Sequence, residues 1–294
     1  MSNIVHIGFP KTATTFLQKE VFPHLKKSNY VEYRKCEGIF NDLIYLDDLD
    51  YEEEPILKML NAFMERTDNL FSFEALVGAP FIYKGLGRSS IARRLKSLGF
   101  DKVIITLRDQ ITMYDSLYRQ YVIQGGVVRF KDFIDKDKKW NLYRRSFNPD
   151  YLCYDKLIML YMEVFGKQNV LVLKHESLKK DKVDYLAKIE AFIGDKLSDT
   201  SSNKKVNSSL CNLSIRLLRI INHFIFTSQK PNNLISNHIS TRNVSRIFMA
   251  ILDPYLFRFF SSRKSFVDNQ TSQYLSNYYK KSNAATDSLL KSQN

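Results

Sequence analysis

Cysteine is scarce in this chain of 294 residues, and Cys36, Cys153 and Cys211 stand far apart. Three isolated thiols form neither a disulfide framework nor a metal or redox motif, so buried, reduced side chains are expected. No apolar run approaches the roughly 18 residues of a membrane span. No charged segment leads into an apolar stretch near the start, so no secretory leader is read and a cytoplasmic location is expected. The acidic run Asp47-Asp48-Leu49-Asp50-Tyr51-Glu52-Glu53-Glu54 contains no His or Gly and has no ligand spacing. It reads as a solvated loop entering a helix at Pro55, and no metal is expected. Internal repeats are absent too.

What is present is an apolar fraction of 44% with 13% aromatics, enough for the core of one large α/β domain. The net charge of +13 is unevenly spread. Residues 201–294 hold 13 Lys/Arg against 3 Asp/Glu, a net +10, whereas residues 1–200 carry only +3. A nearly neutral body, 1–200, therefore carries a basic helical region, 201–294, expected to pack on it within the same domain. Its charge suits an anionic polymer, nucleic acid or an anionic membrane surface.

The chain is organised around Ile7-Gly8-Phe9-Pro10-Lys11-Thr12-Ala13-Thr14-Thr15. Asn3–Ile7 reads as a buried strand, and Phe16, Leu17, Val21 and Leu25 have helical spacing over Thr14–Leu25. Strand, tight loop and helix start in that order gather unpaired N–H groups for an anion, with Lys11 and three hydroxyls added. The alternative is an ordinary βα turn with a solvated lysine. A nucleotide-triphosphate loop needs Gly, Lys and Ser/Thr at positions 13–15, and Ala13-Thr14 breaks that pattern.

Further along, Tyr30–Tyr33 reads as a short strand. Asn69–Leu76 reads as another, with Glu74 near its carboxyl end, where open α/β sheets place chemistry. Gly87–Leu98 is a basic amphipathic helix, and Lys102–Leu107 is the clearest buried strand. Arg108 follows at its end, and Ser116 lies eight residues on within the next helix. A planar guanidinium and a hydroxyl so placed converge on one phosphate.

Pro10-Lys11-Thr12-Ala13-Thr14-Thr15 resembles the 5′-phosphosulfate loop of sulfotransferases that use 3′-phosphoadenosine 5′-phosphosulfate (PAPS). Arg108 with Ser116 resembles their 3′-phosphate motif, and Ser116-Leu117-Tyr118-Arg119-Gln120-Tyr121 followed by Gly125-Gly126 looks like bacterial, carbohydrate-sulfating members. The resemblance implies a P-loop-NTPase-like fold: a doubly wound parallel sheet flanked by helices, with a helical C-terminal lid. It implies PAPS as donor and PAP as product, without a metal, and a reaction of the EC 2.8.2 type. Lys11 would meet the bridging oxygen of the leaving group, and Thr12, Thr14 and Thr15 the 5′-phosphate. Ala13 stands where many relatives carry Gly, which is tolerable if its φ is ordinary.

Glu74 is read as the base, with Glu32 and Glu37 as rivals. Lys204, Lys205 and Asn207 fall where the family closes a basic loop over the nucleotide, or else form a basic linker. Tyr118, Arg119 and Arg144 are acceptor-facing candidates, Arg144 equally fitting a solvated helix face. His175 replaces the tyrosine of the family's late strand, as a structural histidine or a base. Leu213–Phe226 and Val244–Phe260 are either lid helices packed on the body or helices lying in a membrane plane. Ser272–Leu290 resembles the family's terminal helix.

The acceptor is expected to be a polysaccharide, glycolipid or sugar precursor, with peripheral contact at the inner membrane and no nucleic acid. Small phenols, alcohols and lipids stay open as acceptors. Two other readings remain: an ATP-dependent kinase with a degenerate loop, and a non-catalytic basic module for nucleic acid or membrane.

Overall fold

The computed structural model describes residues 1–78, 80–81, 85, 87–134, 147–198, 210–225 and 241–291. Its centre is a five-stranded, all-parallel sheet: β1 (Asn3–Gly8), β2 (Asn29–Val31), β3 (Asn69–Ser72), β4 (Lys102–Leu107) and β5 (Val170–Lys174), ordered β2-β3-β1-β4-β5. The strand order reverses around β1, so the crevice beyond its carboxyl end lies at the switch point, where such sheets bind ligands.

Alternation along the strands builds two cores. Ile4, Leu70, Ile104 and Leu173 face one side, under Leu17, Val21 and Phe22 and under Tyr185, Ile189 and Ile193 of α9 (Lys182–Ile193). Val5, Ile7, Phe71, Val103 and Ile105 face the other, packed with α2 (Tyr33–Tyr45), α4 (Arg88–Ser97), α5 (Gln110–Ile123) and α7 (Tyr154–Phe165). Each such side chain contributes about 1.5–3 kcal/mol on burial. Helices on both faces make the α/β class and its double winding a direct consequence of strands apolar on both sides.

Local departures from the sequence expectation follow from hydrogen bonding. The segment after the loop is not one α-helix: α1 (Thr14–Phe16) widens into a π-helical turn, Leu17–Val21, and tightens into a 3₁₀ turn, Phe22–His24. Pro23 has no N–H to extend an α ladder there. Strand β3 stops at Ser72, because the Phe73 amide makes the last bond to β1, at His6 O, and Glu74–Val77 turns as 3₁₀. The acidic run is more than a solvated loop. Its last two residues open α3 (Glu53–Asn61), and within the run Asp48 accepts from the buried Arg94 guanidinium at 2.6 Å.

Beyond a short α6 (Phe130–Phe133) and α8 (His175–Lys180), the C-terminal region consists of α10 (Asn212–Ile221), α11 (Thr241–Ile247), a π-helical stretch Phe248–Phe257, α12 (Arg258–Phe260) and α13 (Asn269–Lys291). It packs chiefly against α5 and α7. Tyr279 donates to Pro149 O and so accepts from Tyr114 at 3.0 Å, while Gln110 donates to Asn283 at 2.6 Å. Arg144, Lys204, Lys205 and Asn207 lie outside the described residues.

Candidate active site

The loop after β1 carries three left-handed residues, Gly8 (φ 85°), Lys11 (φ 66°) and Ala13 (φ 67°). Ala13 therefore does not keep the ordinary φ expected of it. Backbone of this kind aims N–H groups into an anion-binding concavity. Gly8 is needed for a second reason. A Cβ there would lie 3.0 Å from the Glu74 Cα, so its absence lets Glu74 pack directly against the loop.

Hydroxyls expected to face a phosphate are partly committed to the protein. Thr14 donates to the Glu74 carboxylate, fixing its orientation. Thr12 is fully buried and donates to Phe9 O at 2.5 Å. That donation fixes every proton behind it. Thr12 must accept from Thr106 (2.6 Å), Thr106 from His6 Nε2 (3.1 Å), and His6 Nδ1 from Ser72 (2.8 Å). Ser72 in turn accepts from Gln18 Nε2 at 3.0 Å. One neutral chain thus crosses three strands, from Gln18 to the carbonyl of Phe9. Burial lowers the His6 pKa to about 3, which keeps the single tautomer the chain requires.

Lys11 is exposed as a residue, but the protein mass around the loop withholds water from its ammonium and pulls its pKa down. Glu74 opposes that fall, and Arg108 adds to it. Arg108 Nη1 donates to Lys11 O at 3.0 Å and its Nε to Thr112 Oγ1 at 3.1 Å. Thr112 and Ser116 follow Arg108 at four-residue steps along one face of α5. Lys11 and Arg108, 97 residues apart and each expected at a phosphate, are in direct contact.

Arg263 joins them unannounced by the sequence reading. Its guanidinium lies 3.9 Å from Asp115, and its charge, after burial and the opposing effect of Glu176, lowers the Arg108 pKa. The Arg-Lys pair just before the last helix was the available signal. His175 belongs to this end as well: burial, then Arg108 and Lys179, lower its pKa to about 4, so it is neutral near pH 7.

Two acceptor-facing candidates are instead structural. Tyr118 is buried beside Phe130, Phe133 and Phe266, and donates to Val128 O. Arg119 is 2% exposed and pairs with Asp115 at 2.9 Å. It also donates to Leu210 O, Asn212 Oδ1 and Lys264 O at 2.7–2.9 Å. With all three guanidinium nitrogens engaged, it clamps the start of α10 and the segment preceding α13.

Beside the loop opens a cavity of about 740 Å³. Glu32 and Glu74 both line it, while Glu37 is exposed on α2 and does not. Tyr30, Tyr33 and Phe73 form aromatic wall, the last two stacked at 6.2 Å. Lys19, Arg34 and Lys35 supply cations.

A family model described as the sulfotransferase domain matches residues 2–250. No curated protein matches the chain significantly. Among solved structures it is similar to a sulfotransferase from Alicyclobacillus acidocaldarius, at 18% identity over 76% of this chain and 93% of that one, with a TM-score of 0.49. It is similar also to a mouse sulfotransferase complexed with PAP, at 14% identity over 99% and 88%, TM-score 0.45. A third, the sulfotransferase domain from the curacin biosynthetic pathway, shares 12% identity over 95% and 98%, TM-score 0.41. With the family match running through most of its length, the chain belongs to the sulfotransferase family.

Proposed function

We propose that this protein moves a sulfuryl group from PAPS to a hydroxyl or amine of a polar acceptor, releasing PAP. The observation that carries the reading is the Arg108–Lys11 contact, which makes one crevice of two anion sites. The donor set fits such a ligand. Lys11 and a left-handed loop stand at one end, Arg108 and Arg263 at the other. PAPS, when bound, supplies the activated sulfuryl group on its phosphosulfate.

Lys11 stabilises the negative charge that grows on the bridging oxygen as the sulfur–oxygen bond to the phosphate breaks, a role worth about 10²–10³ in rate. Glu74 accepts the acceptor's proton as the new bond to sulfur forms. It is placed for this by lining the cavity while Thr14 holds its carboxylate and Lys11 faces it. The aromatic wall suits the apolar face of a sugar ring, and Lys19, Arg34 and Lys35 suit an acidic substituent. A polysaccharide, glycolipid or sugar precursor bearing acidic groups is the class we assign.

The test is a calorimetric titration of the folded protein with PAP and, separately, ATP–Mg²⁺. PAP is expected to bind, and Arg108→Ala to weaken it by about tenfold to a hundredfold through loss of charged hydrogen bonds. Lys11→Ala is expected to lower turnover far more than PAP affinity. Equal binding of ATP, or none of PAP, overturns the reading.

A further inference from the structure

The helical run from Thr241 to Phe260 is apolar on two opposite sides. Its inward side is anchored. Phe248 is buried, and Asp253, 1% exposed, accepts from Cys211 N (2.7 Å), Ser214 Oγ (2.6 Å) and Arg258 Nε (2.8 Å). Phe248, Leu252-Asp253 and Phe257 recur every four to five residues, the spacing of an i→i+5 helix. The outward stripe has the same spacing: Ile247, Ile251, Tyr255-Leu256 and Phe259-Phe260. Tyr255 is 75% exposed, Phe259 81% and Phe260 76%.

A surface helix of a globular domain turns polar residues to water, so a second apolar face calls for a second apolar environment. The surrounding charge says which kind. From Asn212 to Lys264 there are eight Lys/Arg and one acid, Asp253, which is buried among its donors. Arg246 and Lys264 are exposed at the two ends of the stripe. Among the described residues no helix is long and apolar enough to cross a bilayer, so the element has the character of one lying in the interface.

We propose that residues 247–260 dock the protein onto an anionic lipid surface. The outward Ile, Tyr, Leu and Phe side chains enter the boundary between headgroups and acyl chains, and Arg246 and Lys264 meet lipid phosphates. The anchored inward stripe fixes the depth at which the body sits. The proposal is independent of sulfuryl transfer.

Co-sedimentation of the full chain with vesicles tests it, using phosphatidylcholine alone and phosphatidylcholine mixed with phosphatidylglycerol. Binding is expected on the mixed vesicles, falling as salt rises, and much weaker on phosphatidylcholine. The double variant Phe259→Ser with Phe260→Ser should weaken it by more than about tenfold, since two large side chains lose their burial. Its thermal unfolding midpoint should stay unchanged, because both rings are exposed. Arg246→Gln should weaken binding by about fivefold. No binding, binding indifferent to phosphatidylglycerol, or binding unaltered in the double variant overturns the proposal. So does a vesicle-inert dimer that the double variant dissociates, which would make a second copy the occupant.

Discussion

At the end of β1 the loop is held from beneath, through the sheet, by neutral groups, whereas the Arg108 end of β4 is held largely by ions. The first support is the relay from Gln18 through Ser72, His6 and Thr106 to Thr12, with each proton fixed in direction. The second is the Asp115–Arg119 pair with its carbonyl and amide partners. The difference follows the task. A loop kept in left-handed conformations needs short, directional bonds to neighbours already in the sheet. The Arg108 end must gather segments 91 and 145 residues away from Arg119, and a long guanidinium with five donors reaches them all.

The comparison breaks most visibly at Arg119. Arg119→Ala leaves the buried Asp115 with only the Phe266 amide and, at 3.9 Å, Arg263 as partners and frees three acceptors, so a loss of about 3 kcal/mol, the low end for a broken buried pair, is expected in denaturant unfolding. PAP affinity should fall with it, because Lys264, the residue next to Arg263, loses its tether to Arg119. Arg119→Lys should restore little, since a compact ammonium cannot span four acceptors. A loss below about 1 kcal/mol would show that helix packing, not the ion pair, holds this end.

The neutral half should yield less and show a different pH signature. His6→Leu leaves the buried Ser72 hydroxyl proton without an acceptor and removes the donor to Thr106, at about 1–3 kcal/mol. Its pH dependence has a definite sign. Unfolded His6 takes a proton near pH 6.5, but the folded residue resists until about 3, so stability falls as pH drops through that window. Between pH 6.5 and 5 the loss from His6 is about 1–2 kcal/mol. His175, lowered to about 4, acts in the same direction. The informative quantity is therefore the difference between wild-type and His6→Leu stability curves. Parallel curves would mean that His6 does not stay neutral in the folded state.

The neutral half was also the less legible one, although its signal was present. His6, Ser72 and Thr106 are polar residues on strands otherwise apolar, a period-2 anomaly that points to one shared face. Strands β1 and β4 and the Arg108–Ser116 spacing stood out because their information is local. Arg119 was misread for the opposite reason. An arginine among aromatics on a helix looks ligand-facing until partners at Leu210 and Lys264 are brought in by tertiary packing. Nothing local distinguishes Glu32, at the start of α2 and on the cavity, from Glu37 one turn further along.

The smallest expected effect bears most directly on why the relay exists. Ala13 at φ 67° pays a steric cost of roughly 1–2 kcal/mol that glycine would not. Glycine brings back unfolded-chain freedom worth about 0.4–1 kcal/mol, so Ala13→Gly should stabilise by no more than about 1.6 kcal/mol. Thr12, pinned by the relay, lies between the two strained residues Lys11 and Ala13. If the relay holds that strain in place, Ala13→Gly should gain more in a His6→Leu background than in the wild type, a coupling read from a double-mutant cycle. Equal gains would mean that the loop keeps its left-handed shape without the relay, leaving Glu74 packed on Gly8 and the Arg108 contact to Lys11 as its supports.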